Sequence, residues 1–206
     1  PLAQKLCKEL DVPFEVVSFE KTFERPLCKM LEETPDNPCS VCGVLRRRAL
    51  NVAAREWNAD YLVTGINLDD TAQTVLMNLC RGDIRRLMRM GPHPGRIEGL
   101  VPRLQPFIRV CEKEVYLYAI YNKLPIHGKE CPYANSAERL RYREALAMLE
   151  HAAPGSRHGI LRSFEQIREM GFGTNQPYER ARFIGVCKEC GEPSSSDPCS
   201  ACKLLR

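Results

Sequence analysis

Three pairs of cysteines, each with two residues between its members, constrain the fold of this chain more than any other feature. The pairs are Cys39 with Cys42, Cys187 with Cys190, and Cys199 with Cys202. The last two pairs enclose a turn-rich segment at 191–198, and this spacing is typical of a zinc ribbon. Four thiolates form a closed tetrahedral site, and the free energy of binding the metal replaces the hydrophobic core that so short a module lacks. The sequence therefore predicts a structural Zn²⁺ bound by the last two pairs.

The first pair, Cys39 and Cys42, supplies only half of a metal site. It opens a strongly basic helical pattern, and Gly43 is predicted to let the backbone turn before that helix begins. Cys131 is the candidate for a third ligand, because a site of three thiolates suits a [4Fe–4S] cluster with one iron left open. Two alternatives remain: a structural zinc completed by a histidine such as His127, and a redox dithiol to which Cys131 is incidental.

The high number of cysteines, eleven in 206 residues, also bears on the cellular compartment. The first residues do not have the pattern of a secretory signal peptide, and no apolar run approaches the roughly 18 residues of a membrane span. Thiolates that bind metal in a reducing compartment explain the cysteines better than disulfides do, so we expect a cytoplasmic protein. The remaining cysteines lie in helical or apolar patterns and are predicted to be buried packing residues: Cys7, Cys28, Cys80 and Cys111.

Helical and strand patterns alternate along the chain, which predicts an α/β fold with a doubly wound parallel sheet. The predicted elements are helix 2–10, strand 14–19, a helix within 21–37, helix 40–58 with Ser40 as its N-cap, buried strand 61–64, a helix that opens at 67–70 and continues to a break at 82–83, and helices 84–90, 112–122, 136–151 and 156–170. Ligands of such sheets bind beyond the carboxyl ends of the strands. Gly65, which follows a strand, and Asp70, which opens a helix, are therefore predicted to lie where a nucleotide binds.

Several runs of the sequence together resemble one known family. They are CSVCGVLRRR at 39–48, LVTGINLDDTAQTVLMNLCRGD at 62–83, ECPY at 130–133 and the terminal ribbon. This combination is similar to the TtuA/NcsA/TtcA group of tRNA 2-thiouridine synthetases. Within that group it is most similar to the branch of TtuA and the archaeal and eukaryotic wobble-thiolation enzymes, because that branch carries the terminal ribbon. The resemblance covers nearly all of the chain.

The resemblance implies an adenine-nucleotide α-hydrolase fold of the PP-loop type and an ATP-dependent tRNA sulfurtransferase. In that family ATP converts the C2 oxygen of a tRNA uridine, at the wobble or the T-loop position, into an adenylate. Sulfur then replaces this oxygen, and AMP and pyrophosphate leave. The expected cofactors are therefore a [4Fe–4S] cluster, Zn²⁺, and ATP with Mg²⁺.

The resemblance also assigns roles to individual residues. The cluster ligands would be Cys39, Cys42 and Cys131, and the ATP contacts would be Arg46, Gly65 and Asp70. Arg46 can neutralise phosphate charge, Gly65 allows close approach of the backbone to the nucleotide, and Asp70 can position Mg²⁺ or a hydrogen-bond donor. The alternatives are simple helix capping for Asp70 and a solvated helix face for Arg46.

By the same resemblance, residues 1–175 form the catalytic domain and residues 183–206 the zinc ribbon. The pyrophosphatase loop of the family, Ser-Gly-Gly-x-Asp-Ser after the first strand, does not occur in the sequence, nor does the N-terminal zinc finger of this branch. We expect a preceding segment of a longer enzyme to carry them. The expected partners are tRNA, a ubiquitin-like thiocarboxylated sulfur-carrier protein and a second copy in a homodimer, and no membrane partner is expected.

The arginines favour a polyanionic partner, although the formal net charge of +4 is modest, because they are concentrated at 81–109 and 139–168. Candidates for contacts to tRNA phosphates are Arg81, Arg85, Arg86, Arg89, Arg139, Arg141 and Arg143. The alternative is that they form solvated faces paired with neighbouring glutamates. Two other functions remain open: a non-catalytic RNA-binding or scaffold subunit with a zinc ribbon, and a sulfurtransferase that uses a cysteine persulfide without a cluster.

Overall fold

The computed structural model describes residues 2–93, 95, 97–129, 131–133, 138–170 and 185–206. Its helices are α1 (Leu2–Glu9), α2 (Phe19–Phe23), α3 (Leu27–Glu32), α4 (Pro38–Glu56), α5 (Leu68–Cys80), α6 (Ile84–Met88), α7 (Glu112–Tyr121), α8 (Arg139–Ala152), α9 (Ser156–Glu169) and α10 (Ser200–Leu205). Its strands are β1 (Leu62–Val63), β2 (Arg103–Leu104), β3 (Gly185–Val186) and β4 (Pro193–Ser194). In these ranges no helix has the length and apolarity that crossing a bilayer requires.

The described strands form two small sheets. β1 pairs in parallel with β2, which places Leu62 opposite Arg103, and β3 pairs antiparallel with β4. The doubly wound sheet itself therefore stays a prediction. The prediction of a strand at 14–19 is wrong. The segment has no hydrogen-bonded neighbouring strand among the described residues, which a strand needs for its backbone groups, and Val16 is 65% exposed. The burial expected for β1 is wrong as well, since β2 flanks it on one side and Val63 is 57% exposed.

Helix α4 begins before the predicted position. Asn37 is its N-cap, because the Asn37 Oδ1 atom accepts a hydrogen bond from Cys39 N at 3.0 Å. Pro38 occupies the first helical position, where a missing N–H costs nothing. Ser40 and Gly43 lie inside the helix, so the predicted cap and the predicted turn are both wrong. The Asn-Pro start fixes Cys39 in the first turn of α4.

The later helices follow the sequence pattern more closely. Helices 112–122 and 156–170 are confirmed as α7 and α9. The helix expected within 21–37 is split into α2 and α3, because Glu24 adopts a left-handed φ of 59° at the end of α2. Residues 136–137 of the predicted helix 136–151 lie outside the described residues, and so do residues 171–184 between α9 and β3.

Two apolar clusters hold the described elements together. The first joins α2, α3 and α4 to the C-terminal ribbon and contains Phe23, Met30, Val41, Leu45, Ala49, Cys187, Cys199, Ala201 and Cys202. The second joins α5, α6 and α9 and contains Leu68, Val75, Leu87, Leu161 and Phe164. The ribbon therefore shares a core with α4, the helix that begins with the first cysteine pair.

The four cysteines predicted as buried packing residues are not buried. Cys28 and Cys80 are exposed, and Cys7 and Cys111 are partly exposed. Cys28 lies two residues before the buried Met30 on α3, and Cys80 lies two residues after the buried Asn78 on α5. Residues two apart in a helix do not share a face, so burial of Met30 and Asn78 turns these cysteines outward.

Asp69 links three helices at the start of α5. It is 8% exposed, and its Oδ1 atom lies 2.8 Å from Arg157 Nε of α9. Its Oδ2 atom accepts a hydrogen bond from the backbone N of Glu112, the first residue of α7, at 2.7 Å. The Arg157 N–H does not point at an acceptor, so the contact with Asp69 is an ion pair without an aligned hydrogen bond. Asp69 thereby holds α5, α7 and α9 in their relative positions.

We expect Asp69→Ala to lower the free energy of unfolding by about 2–3 kcal/mol, because it leaves Arg157 without its carboxylate partner and removes the acceptor for the N–H of Glu112. The loss stays below that of a fully buried pair, since the Arg157 side chain is 24% exposed. Urea denaturation measures this value. Glu165→Ala is the matched control, because it breaks the exposed ion pair with Arg109 and should cost under about 1 kcal/mol. Equal losses in the two variants would contradict the role given to Asp69.

Candidate functional site

The four terminal cysteines form a compact group of metal-binding atoms. Their Sγ atoms all lie within 4.8 Å of one another, and the described residues contain no second group of three or more such ligands. The Sγ–Sγ distances are 3.9 Å between Cys187 and Cys202 and 3.7 Å between Cys190 and Cys199. Four thiolates bound to one zinc ion at about 2.3 Å lie about 3.8 Å apart. The structure thus gathers the four predicted ligands in a geometry that fits tetrahedral Zn²⁺.

Backbone N–H groups favour the thiolate form in this group. Cys199 N donates a hydrogen bond to Cys187 Sγ at 3.3 Å, and this bond is the main cause that lowers the pKa of Cys187 to about 6. Cys202 N donates in the same way to Cys199 Sγ, also at 3.3 Å. Burial raises the pKa of Cys202, so without a metal that thiol keeps its proton. Because metal binding requires deprotonated thiols, the N–H donors prepare only part of the site.

Arg48 of α4 completes the surroundings of the four thiols. Its Nη1 atom donates to Cys202 Sγ at 3.7 Å, and its guanidinium carbon lies 5.8 Å from the ring centroid of Phe23. Burial opposes the charge of Arg48, but the bond to Cys202 and the nearby sulfur charges prevail and raise the pKa of Arg48. A zinc ion with four thiolates would carry a net charge of about −2, which Arg48 would partly neutralise. Sequence analysis missed this residue, although its position three residues after the buried Leu45 indicated the inner face of α4.

Two further contacts hold the ribbon on α4 and on the loop before β2. Arg55, in the last turn of α4, forms an ion pair with Glu192. Gly99 has a φ of +76°, and a Cβ atom there would lie 2.5 Å from Cγ of Pro193. A side chain at Gly99 would therefore push the ribbon away, so the glycine permits this close approach.

The first cysteine pair lies on a stripe of α4 that faces solvent. Cys39, Cys42 and Arg46 are spaced three and four residues apart, which places them on one side of the helix. Cys39 and Arg46 are exposed and Cys42 is partly exposed. Four residues of helix rise about 6 Å, so Arg46 stands one turn from Cys42. There its guanidinium can neutralise an anion bound beside the two thiols.

Cys131 is exposed and does not form a group with Cys39 and Cys42 within 4.8 Å in the described part of the chain. That distance applies to the ligands of a single ion. Thiolates of a [4Fe–4S] cluster bind different irons and therefore stand farther apart. The zinc alternative with His127 is not formed among the described residues either, and His127 Nδ1 lies 3.1 Å from the carbonyl oxygen of Lys129. The metal centre predicted at Cys39 and Cys42, and the choice between its possible ligands, therefore stay predictions.

Gly65 and Asp70 flank the turn between β1 and α5. A Cβ atom built on Gly65 would meet no other atom within 4 Å, so open space adjoins this backbone. Asp70 forms a capping box: Asn67 Oδ1 accepts from Asp70 N at 2.9 Å, and an Asp70 carboxylate oxygen accepts from Asn67 N at 3.5 Å. The other carboxylate oxygen lies 2.9 Å from Arg139 Nη1. Asp70 therefore caps α5, and a metal ion or nucleotide at its carboxylate would compete with Arg139.

The structure divides the arginines considered for tRNA binding into two groups. Those with an acidic partner are Arg81 with Glu138, Arg86 with Asp83 at 3.3 Å, Arg139 with Asp70 at 2.9 Å, and Arg143 with Glu112 at 3.9 Å. Those without a hydrogen-bonded or ion-paired acidic partner among the described residues are Arg85, Arg89 and Arg141. The pairing with acidic neighbours that the alternative interpretation expected is therefore present at four of the seven positions.

Comparison with known proteins places the chain among tRNA thiolation proteins, although no family model matches it. It is 36% identical over 212 residues to tRNA 2-thiolation protein NcsA of Haloferax volcanii, a match that covers 98% of this chain and 65% of that protein. It is 37% identical over 201 residues to cytoplasmic tRNA 2-thiolation protein 1 of Laccaria bicolor, which covers 96% of this chain and 55% of that protein.

Comparison with solved structures agrees with the comparison of sequences. The chain matches U34-tRNA thiolase NcsA from Methanococcus maripaludis, a structure with its [4Fe-4S] cluster, at a TM-score of 0.80 and 32% identity. The match covers 98% of this chain and 63% of that one. The chain thus spans between about half and two thirds of the length of the proteins it matches. By its sequence over nearly its whole length and by its fold, the chain belongs to the family of tRNA 2-thiolation proteins that includes NcsA and cytoplasmic tRNA 2-thiolation protein 1.

Proposed function

We propose that this chain acts in the ATP-dependent transfer of sulfur to C2 of a tRNA uridine. The observation that carries the proposal is the match, over 98% of this chain, to a thiolase structure that contains a [4Fe-4S] cluster. The two relatives named as tRNA 2-thiolation proteins agree with it at 36% and 37% identity. The accessibility of the first cysteine pair, with Cys39 exposed and Cys42 partly exposed, supports the proposal.

The proposed cluster ligands are Cys39, Cys42 and Cys131. Cys39 and Cys42 lie in the first turns of α4, where the helix dipole stabilises negative charge. With three protein ligands, the bound cluster supplies an open iron position that can accept sulfide for transfer. Arg46, one turn along the same stripe, would neutralise charge that develops beside it.

The proposed ATP contacts are Arg46, Gly65 and Asp70. Gly65 has open space beside its backbone, which lets a nucleotide approach closely. Asp70 would bind Mg²⁺ through the carboxylate oxygen that Arg139 now contacts, and Arg139 would then be released toward an anion such as phosphate. In this way nucleotide binding and the position of Arg139 are coupled through one carboxylate.

The proposed organisation follows the family resemblance. Residues 1–175 would belong to a doubly wound PP-loop domain with ATP and Mg²⁺ as ligands, and residues 183–206 to a ribbon with structural Zn²⁺. The proposed partners are tRNA, a ubiquitin-like sulfur carrier with a thiocarboxylate, and a second copy of the chain. The proposed location is the cytoplasm, which agrees with the name of the Laccaria bicolor relative.

The test is the iron, zinc and acid-labile sulfide content of protein purified without oxygen, with absorption spectra before and after dithionite. We expect about four irons, about four sulfides and about one zinc per chain, and a spectrum that bleaches on reduction. The double variant Cys39→Ser/Cys42→Ser should lose iron and sulfide but keep zinc. Zinc alone, with no labile sulfide even after reconstitution, would contradict the cluster and favour a persulfide on a cysteine.

A further inference from the structure

We infer that five arginines on α4, on β2 and at the end of α6 form a binding surface for the phosphate groups of an RNA backbone. This arginine cluster consists of Arg46, Arg47, Arg86, Arg89 and Arg103. The inference rests on the proposed function and extends it, because it names the surface that holds the RNA. Its central members are Arg47, within the run 39–48, and Arg103, which lies outside every run that carries the family resemblance.

Hydrogen bonds from Asn51 place Arg47 beside Arg103. Asn51 Nδ2 donates to the carbonyl oxygen of Gly99 at 2.9 Å, and Asn51 Oδ1 accepts from Val101 N at 3.0 Å. Arg47 lies one turn before Asn51 on the same side of α4. Arg103 lies two residues after Val101, on the same side of an extended segment. The buried Asn51 therefore holds α4 against the segment that leads into Arg103, and Arg103 lies close enough to Arg47 for its charge to act on it.

His93 attaches the end of α6 to the same surface. Its backbone N and O atoms exchange hydrogen bonds with Arg103, at 3.0 Å to the Arg103 oxygen and 2.9 Å from the Arg103 nitrogen. Its Nε2 atom lies 2.9 Å from the carbonyl oxygen of Arg89, the C-cap of α6. Arg86 is one turn earlier on α6. These contacts join the three elements that carry the five members, and the charges of the other four members all act on Arg47.

The positive charge of this face is almost uncompensated. Among the described residues, Arg86 has an acidic partner, Asp83 at 3.3 Å, whereas the other four members have none. Burial, followed by the charges of the other four members, lowers the pKa of Arg47, and burial also lowers the pKa of Arg103. Like charges held together in this way repel each other, and a bound polyanion would relieve the repulsion.

The form of the surface favours a polynucleotide backbone over a free nucleotide. Four members are exposed and Arg103 is partly exposed, and they are spread over three elements. A nucleotide is bound in a concave pocket. A nucleic-acid backbone instead presents a row of phosphates, and each can accept two parallel hydrogen bonds from an arginine guanidinium. Arg46 belongs both to this cluster and to the stripe with Cys39 and Cys42. An RNA strand on the cluster would therefore pass about one helical turn from Cys42 and about two turns from Cys39.

The test uses the full natural protein and an unmodified tRNA transcript, with the dissociation constant measured by fluorescence anisotropy at several KCl concentrations. We expect Arg47→Ala/Arg103→Ala to weaken binding about tenfold or more and to reduce the salt slope by about 2, since each phosphate contact contributes nearly one unit. Arg25→Ala/Arg206→Ala is the matched control. It removes the same charge from arginines paired with Glu33 and Glu189 and should leave affinity nearly unchanged.

Two further measurements separate the possible outcomes. Arg47→Lys/Arg103→Lys keeps the charge and should retain the salt slope, which distinguishes lost phosphate contacts from misfolding. The affinity of Arg47→Ala/Arg103→Ala for ATP should be unchanged. If this variant lost affinity for ATP but still bound tRNA, the cluster would be a nucleotide site and the inference would be overturned. An alanine variant with native tRNA affinity and slope would also overturn it while leaving the proposed function in place. Absence of tRNA binding by the unsubstituted protein would instead overturn the proposed function itself.

Discussion

Cys131→Ser is expected to abolish tRNA thiolation while leaving the zinc content and the unfolding midpoint unchanged. A serine hydroxyl is a hard, weakly acidic ligand and does not replace a thiolate on iron. Cys131 is exposed, so its replacement removes no core packing. Thiolation is measured as 2-thiouridine in purified tRNA by mass spectrometry, and iron and zinc are measured in the same preparation. This outcome would assign Cys131 to the reaction rather than to the fold.

Cys28→Ser is the matched control for this experiment. Cys28 is also exposed, and it lies on α3 outside the proposed cluster ligands and the ribbon. It should keep thiolation and iron at the level of the unsubstituted protein. Retained thiolation in a stable Cys131→Ser variant would remove Cys131 from the proposed site. Loss of thiolation in both variants would point to a general sensitivity to thiol replacement and not to a specific ligand.

The sequence predicted best those features that depend on local spacing. Two Cys-x-x-Cys pairs must gather their thiols when the intervening segment turns back, and the four ribbon cysteines do lie together. The capping pair of Asn67 and Asp70 lies where the helix was expected to open, because a cap is formed by residues within one turn of each other. The family resemblance, which rests on such runs, was confirmed at 36% identity.

Predictions that depend on distant partners were less accurate. The apolar run at 14–19 has strand propensity, but propensity forms no strand without a neighbour for its backbone groups. The role of Arg48 depends on Cys202, which lies 154 positions later, so the local pattern indicates that Arg48 faces inward but not which residue it contacts. Asp69 and Asp70 are adjacent acids in the sequence, yet Asp69 is buried against Arg157 whereas Asp70 faces Arg139. Only the packing of α5 against α7, α8 and α9 separates their roles.

The position of Arg48 has a consequence for the first cysteine pair. The same helix carries Cys39 and Cys42 near its start and, two turns farther on, the guanidinium that contacts the ribbon thiols. The ribbon also contributes Cys187, Cys199 and Cys202 to the core of α4. A metal ion in the ribbon should therefore stabilise the helix on which the proposed cluster is built. The two proposed metal centres would then be linked through packing rather than through a shared ligand.

Removing the ribbon metal by Cys187→Ser is accordingly expected to release nearly all zinc and to lower hydrogen-exchange protection in α4, because a structural zinc contributes about 10 kcal/mol or more to folding. Zinc is measured by mass spectrometry and α4 protection by peptide-resolved exchange. Cys7→Ser, a replacement outside the four ligands, should change neither value. Arg48→Met keeps the apolar stem, and we expect it to keep zinc but to bind it about tenfold more weakly in chelator competition. If α4 stays fully protected after zinc is lost, the ribbon and the proposed cluster helix are independent.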